Sequence, residues 1–129
     1  MKRRIMSRLA LLGVAAAIMP LLAHPHHSGA AYDGDSVKRI VGHVTRWQFA
    51  NPHSSLQIRV SDEDGEEQLW DFESLPAGML APRGYRRNTF EPNDEITVVY
   101  NPMRNGGVGG RLVGAILEDG ITIGEVPSE

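Results

Sequence analysis

The chain contains no cysteine among its 129 residues. This absence excludes a disulfide framework, a thiol nucleophile, a cysteine-ligated zinc site and a lipid-anchored lipoprotein. Lysine is almost as scarce, because Lys38 is the only lysine beyond the second residue. A lysine-based Schiff-base site therefore has no support. Stability has to come from the packing of an apolar core.

Long apolar runs are also lacking, except for one at the amino terminus. Four basic residues precede the apolar run at residues 9–18, and Pro20 and the small residue Ala23 follow it. This order predicts a Sec-type signal peptide over residues 1–23, cleaved after Ala23, and a periplasmic or secreted protein. Cleavage after Ala30 is the alternative. The run is shorter than the roughly 18 to 20 residues that span a bilayer, so we expect no stable membrane insertion after signal cleavage.

The mature chain is short and acidic. Removal of residues 1–23 leaves 106 residues and takes away four of the 13 basic residues, so nine remain against 16 acidic ones, a formal charge of −7. Nucleic-acid-binding proteins gain affinity from a basic face that displaces counterions, so we expect no nucleic-acid partner. The length predicts one modest domain.

Composition divides the mature chain into three parts. Residues 24–36 are small, polar or histidine-rich and predict an extended arm. Residues 37–124 carry the alternating apolar pattern of strands and predict the folded domain. Residues 125–129 form a short tail.

The folded part predicts an all-β fold with one short helix. Strands are expected at residues 37–49, 56–60, 69–73, 95–100, 111–117 and 121–123, the first bent or bulged at Gly42. A helix is expected from Ser74 to Leu80, with Ser74 as its cap. This order is that of an OB-like barrel of five to six strands. An open sandwich or meander is the alternative.

An OB-like barrel would place two loops at its ligand-binding rim. One loop spans residues 50–54 and contains His53, and the other is the glycine-rich segment 101–110. We therefore expect His53 to stand beside the glycine-rich loop. Trp70 and Phe72 should lie in the core, with Asp71 and Glu73 on the opposite face of their strand.

Several motifs together resemble a family of small exported bacterial proteins that is catalogued only as a domain of unknown function. They are His26-His27-Ser28, the turn Asn51-Pro52-His53, Trp70-Asp71-Phe72-Glu73, Gly84-Tyr85-Arg86-Arg87 and Pro92-Asn93-Asp94. The resemblance implies an exported β-barrel domain and supplies no activity. Asn93 stands where the family more often has glycine, and asparagine also tolerates a left-handed backbone.

The histidines suggest a metal site. A mature terminus at His24 would offer Cu(II) an amine and an imidazole, and His27 or His53 could complete a three-nitrogen site; nickel and zinc also suit these donors. The copper motif with histidine at position three needs an amide hydrogen that Pro25 lacks, so His26 cannot act that way. We predict metal donors among His24, His26, His27 and His53. The alternatives are a polar tail that binds metal adventitiously and a structural turn at His53.

Glu73 is the carboxylate most suited to complete this site, because it ends its strand. The alternative is a solvated face shared with Asp71. Three arginines, Arg83, Arg86 and Arg87, form the only basic cluster of the mature domain; they suit a small anionic ligand or pair with the domain's own acids.

Taken together, the residues predict an exported binding protein rather than an enzyme, with copper or a similar metal as its ligand. No nucleophile motif or phosphate-binding glycine pattern is present. A metal-free protein-interaction or scaffolding module of the cell envelope is the main alternative, and an enzyme built on the metal is the third.

Overall fold

The computed structural model describes residues 29–128, which are organised around six strands and one short helix. In chain order these are β1 (Lys38–Gln48), β2 (Ser55–Ser61), β3 (Glu67–Glu73), α1 (Ala77–Leu80), β4 (Glu95–Pro102), β5 (Gly110–Leu117) and β6 (Thr122–Gly124). Short 3₁₀ turns lie at Gly29–Ala31 and Ala81–Arg83. The predicted class, all-β with one short helix between the third and fourth strands, is confirmed.

The sheet closes on itself as a ring. β1 lies between β2 and β4, β2 also pairs with β3, and β4 also pairs with β5, all antiparallel. A short parallel pairing, Phe72 with Gly110 and Glu73 with Arg111, joins β3 to β5. β6 adds to β5 in antiparallel orientation. The contact between β3 and β5 is therefore what completes the ring.

The core fills the inside of this ring because apolar residues alternate along the strands. Leu56 and Ile58 of β2, Phe72 of β3 and Val98 of β4 are fully buried. Their sequence neighbours point to the other face of the sheet. The predicted placement of Phe72 in the core is confirmed, while Trp70 is half-buried and packs against the core.

Aromatic side chains close the core at two places. Trp70, Phe72 and Tyr100 form one cluster, with ring centroids 5.2–6.3 Å apart. Trp47 packs edge-on against Phe90 at 5.1 Å in the other cluster. Aromatic pairs of this kind add to the stabilisation from buried area.

The bulge of β1 lies elsewhere than the sequence predicted. The pairing with β2 shifts register between Val44 and Arg46, not at Gly42. Glycine occupies position 42 for a different reason. A Cβ there would stand 2.8 Å from the carbonyl oxygen of Arg59 and 2.8 Å from the side chain of Ile58. Glycine is needed because β2 approaches closely.

The helix begins later than predicted. α1 starts at Ala77, after Pro76, and no side chain of the described residues caps it. The expected cap, Ser74, is buried, and its backbone N–H donates to the carbonyl of Ser54 at 2.8 Å. Ser74 therefore holds the loop that follows β1 in place of capping the helix.

The turn before β4 follows the sequence expectation. Asn93 has a left-handed backbone with φ of 75°. Its N–H donates to the carbonyl of Val44 at 2.7 Å, and the N–H of Val44 donates to the carbonyl of Asp94 at 2.9 Å. Asparagine accepts this conformation at low cost.

Within residues 29–128, none of the helices has the length and apolar character needed to cross a membrane.

Candidate functional site

His53 lies at the end of the loop that joins β1 to β2. The loop contains a cis peptide bond between Asn51 and Pro52. The next residue, Ser54, is fully buried; its N–H donates to the carbonyl of Leu75 at 3.1 Å, and its hydroxyl contacts the backbone of Ala50. These bonds fix the backbone on which the exposed imidazole of His53 stands.

Glu73, the last residue of β3, faces this imidazole. Its Oε1 is 3.5 Å from Nδ1 of His53, and the side chains are 24% and 55% exposed respectively. Glu73 is on the outer face of the ring because its neighbour Phe72 points inward. The structure thus brings together two of the residues that the sequence singled out as metal donors.

A third side chain, that of Tyr32, completes the contacts of Glu73. The Tyr32 hydroxyl donates to Oε2 of Glu73 at 2.7 Å. Tyr32 is only 8% exposed and pairs with Met103 as an isolated β-bridge. The arm before β1 is therefore docked on the outside of the ring.

Further backbone bonds hold the described part of the arm. The N–H of Asp33 donates to the carbonyl of Pro102 at 2.9 Å, and the N–H of Arg104 donates to the carbonyl of Ala31 at 3.0 Å. The sequence predicted an extended arm, because residues 24–36 have no apolar period. Its described residues instead contain a 3₁₀ turn and a buried tyrosine, because β4 and the loop after it offer a surface on which they pack.

Arg111 borders the site on the β5 side. Glu73 and Arg111 are register partners in the parallel contact that closes the ring. The guanidinium of Arg111 donates to Oδ1 of the buried Asn101 at 3.1 Å, and Nδ2 of Asn101 donates to the carbonyl of Ser36 at 2.8 Å. Asn101 therefore connects Arg111 to the end of the arm.

These residues enclose a small cavity of about 140 Å³. It is lined by Gly29, Tyr32, His53, Glu73, Ser74, Leu75 and Arg111. Gly29, the first residue that the structure describes, is thus at the same cavity as His53. The cavity combines one imidazole, one carboxylate, one guanidinium and one phenol.

Burial governs the ionisation of the phenol. Burial raises the pKa of Tyr32 to about 12, and the hydrogen bond to Glu73 and the negative charge of Glu73 act in the same direction. The positive charge of Arg111 lowers this pKa by a smaller amount. The phenol is therefore neutral at physiological pH and acts as a donor to Glu73.

All three tyrosines of the chain are expected to titrate above the ordinary tyrosine pKa of about 10. Burial also raises the pKa of Tyr85 to about 12 and raises that of Tyr100. Since folding favours the neutral phenols, stability is fully present below pH ~10 and falls as the pH rises towards ~12. An alkaline titration followed by tyrosinate absorbance and circular dichroism checks this. Tyrosinate formed well below pH ~10 in the folded protein would contradict it.

The surroundings of His53 differ from the prediction. The sequence placed it beside the glycine-rich loop between β4 and β5. That loop lines a separate cavity with Trp70 and Tyr100, whereas His53 faces Glu73 and the start of β5. The difference arises because β3 and β5 are in contact at Glu73 and Arg111, on the outside of the ring.

Other polar and charged side chains with possible ligand-binding groups lie apart from this cavity. His43 is on β1, with Nε2 3.5 Å from Oε2 of Glu95. Asp71 accepts a hydrogen bond from Gln57 at 3.0 Å. In the arginine cluster, Arg86 donates to the carbonyls of Ala81 and Tyr85 at 2.6 and 2.7 Å, so its guanidinium supports the turn after α1.

The remaining predicted donors, His24, His26 and His27, lie outside the described residues, as does the predicted signal peptide. Among residues 29–128, no three histidine, aspartate or glutamate side chains are grouped closely enough to hold a metal ion.

Sequence reasoning missed Tyr32 and Arg111. Tyr32 is the only aromatic residue of the arm, and an aromatic side chain in a polar segment is a signal of docking that the prediction did not use. Arg111 carried no comparable signal, because only the closure of the ring brings it to Glu73.

Comparison with known protein families identifies the family of this chain. The model of a family described as a family of unknown function, DUF6152, matches residues 13–112, a range that contains every residue lining the cavity. No curated protein and no solved structure matches the chain.

Proposed function

The chain belongs to DUF6152, a family of unknown function, and we propose that it is an exported, non-enzymatic protein that binds one copper-type metal ion at the His53 cavity. The donors are the imidazole of His53 and the histidines that precede Gly29. Imidazole and amine nitrogens suit Cu(II), with nickel and zinc as competing ions. The metal would act as a bound ligand or cargo, and no reaction is proposed.

The observation that supports this most is the position of Gly29 in the cavity that also contains His53 and Glu73. An extended chain spans at most about 3.6 Å per residue, so the Cα of His27 is within about 7 Å of the Cα of Gly29. His26 is within about 11 Å and His24 within about 18 Å by the same limit. Covalent geometry therefore allows all three to reach the cavity.

Charge also favours a cation at this place. The mature chain has a formal charge of −7, which raises the local concentration of cations around it. Glu73 supplies a carboxylate directly beside His53. Arg111 is the opposing charge at the cavity; its guanidinium donates to Oδ1 of Asn101 and keeps its positive charge, so the support from charge comes from the net charge of the chain.

The test uses the full chain, exported from a bacterial host and purified from the periplasm. Intact mass identifies the mature terminus, and Cu(II) titration with electron paramagnetic resonance counts bound ions and nitrogen donors. We expect a terminus at His24 and one tightly bound Cu(II). Because donors must be deprotonated, acid should release the ion. A terminus at Ala31, or only weak binding of many ions, would overturn the proposal and favour the metal-free interaction module.

His53→Ala gives the sharper test, with His43→Ala as its matched control. Both histidines have a glutamate oxygen at 3.5 Å, but only His53 is at the cavity. We expect His53→Ala to lower Cu(II) affinity by more than about 100-fold, since even indirect neighbours of a metal ligand are worth 10–100-fold. The metal-free stability should change by no more than about 1 kcal/mol, because His53 is an exposed residue outside the core. His43→Ala should leave binding unchanged; equal effects of the two variants would contradict a specific site.

A further inference from the structure

Glu73 has a neighbour at each of its two carboxylate oxygens. Oε2 accepts the hydrogen bond from the Tyr32 hydroxyl at 2.7 Å, and Oε1 is 3.5 Å from Nδ1 of His53. A metal ligand needs an oxygen directed at the ion. Here both oxygens are directed at other side chains of the protein.

The geometry has a consequence for the proton of the imidazole. A neutral imidazole carries its hydrogen on one nitrogen and a lone pair on the other. A carboxylate beside Nδ1 favours a hydrogen there and repels a lone pair. The lone pair of His53 then belongs to Nε2, the atom farther from Glu73.

We propose that Glu73 is a positioning residue rather than a metal ligand: oriented by Tyr32, it holds the hydrogen of His53 on Nδ1 so that Nε2 is the donor atom for the metal. The metal part of this inference rests on the proposed function, whereas the placement of the hydrogen can be tested without metal. Glu73 was selected from the sequence as a ligand, and the contacts of its two oxygens now favour the supporting role.

Tyr32 is suited to orient Glu73 because the arm fixes its position. It is almost fully buried, and the backbone on both sides of it is bonded to Pro102 and Arg104. An ionised carboxylate only accepts hydrogen bonds, and a neutral phenol donates one. Docking of the arm is thereby linked to the orientation of the imidazole. Outer partners of this kind orient metal-binding histidines generally.

The chain contains a second histidine–glutamate pair with the opposite arrangement. In His43 the nitrogen near the carboxylate is Nε2, 3.5 Å from Oε2 of Glu95. Both side chains of that pair are about half exposed, at 45% and 57%. The two pairs should therefore hold their hydrogens on different nitrogens, and each serves as the control for the other.

The first experiment measures imidazole tautomers in the metal-free, isotope-labelled mature protein by long-range proton–nitrogen NMR in mildly alkaline buffer. We expect His53 mainly with hydrogen on Nδ1 and His43 mainly with hydrogen on Nε2. Glu73→Ala should remove the preference of His53, and Tyr32→Phe should reduce it. Glu95→Ala should alter His43 and leave His53 unchanged. Hydrogen on Nε2 of His53 in the unmutated protein, or no response to Glu73→Ala, would overturn the inference.

The second experiment measures Cu(II) binding by the same variants. If Glu73 positions His53, Glu73→Ala should keep the number of nitrogen donors in the resonance spectrum and lower affinity by about 10–100-fold. Glu95→Ala should change neither. Loss of a directly bound carboxylate oxygen on Glu73→Ala would show a ligand and refute the inference while leaving the proposed function standing. Absence of a specific Cu(II) site in the unmutated protein refutes the proposed function, and the tautomer measurement still decides the role of Glu73.

Discussion

Phe72→Ala is expected to lower the free energy of unfolding by roughly 3–5 kcal/mol, the range for removing a buried aromatic side chain. Phe72 is fully buried and contacts Trp70 and Tyr100, with centroids 6.3 and 5.2 Å away. It is also a register partner of Gly110 where β3 meets β5. The substitution therefore removes core volume at the contact that closes the ring. Domains of this size have only about 5–15 kcal/mol of stability, so a large part is lost.

Leu69→Ala, on the same strand, is the matched control for this prediction. Leu69 is 51% exposed, so its truncation should change stability by no more than about 0.5 kcal/mol. Chemical denaturation followed by tryptophan fluorescence measures both variants. Similar losses for Phe72→Ala and Leu69→Ala would contradict the assigned inward and outward faces of β3.

Gly109→Ala is expected to be at least as damaging, at roughly 3 kcal/mol or more, because it combines two mechanisms of destabilisation. Gly109 has φ of 97°, a conformation that costs an L-residue about 1–2 kcal/mol. A Cβ there would also lie 2.1 Å from the carbonyl oxygen of Asp71 in β3. Backbone cannot move aside without separating β3 from β5, so the ring should open at its closing contact.

Gly106→Ala separates the two mechanisms. Gly106 is in the same loop with φ of 75°, but a Cβ there would meet no atom of residues 29–128 within 4 Å. Gly106→Ala should lower the free energy of unfolding only through the unfavourable left-handed backbone conformation, by about 1–2 kcal/mol. Thermal denaturation of the unmutated protein, Gly106→Ala and Gly109→Ala measures the difference in stability. If Gly106→Ala and Gly109→Ala destabilise equally, the close approach of Gly109 to β3 does not contribute.

Much of the fold could be predicted because the signals are local. In β2, Leu56 and Ile58 alternate with polar residues, and the structure buries both. The turn between β2 and β3 contains Asp64-Gly65, a sequence typical of hairpin turns, and Gly65 has the left-handed φ of 81° that such a turn needs. The start of α1 could not be predicted in this way, since Ser74 is bound to Ser54, a partner twenty residues earlier in the chain.

Only part of the cavity could be predicted from the sequence. Imidazole and carboxylate groups identified His53 and Glu73 as candidate donors, and the structure brings them together at 3.5 Å. Tyr32 and Arg111 were missed because neither belongs to a local motif. Their roles depend on the docking of the arm and on the pairing of β3 with β5.

By itself, the sequence determined which strand faces are apolar and where the chain turns, because alternation and turn preferences act over a few neighbouring residues. Only the tertiary structure decided that Tyr32, His53, Glu73 and Arg111 share one cavity on the outside of the ring. The physical reason is distance along the chain: Tyr32 and Glu73 are 41 residues apart, and only ring closure and arm docking bring such groups within hydrogen-bonding range.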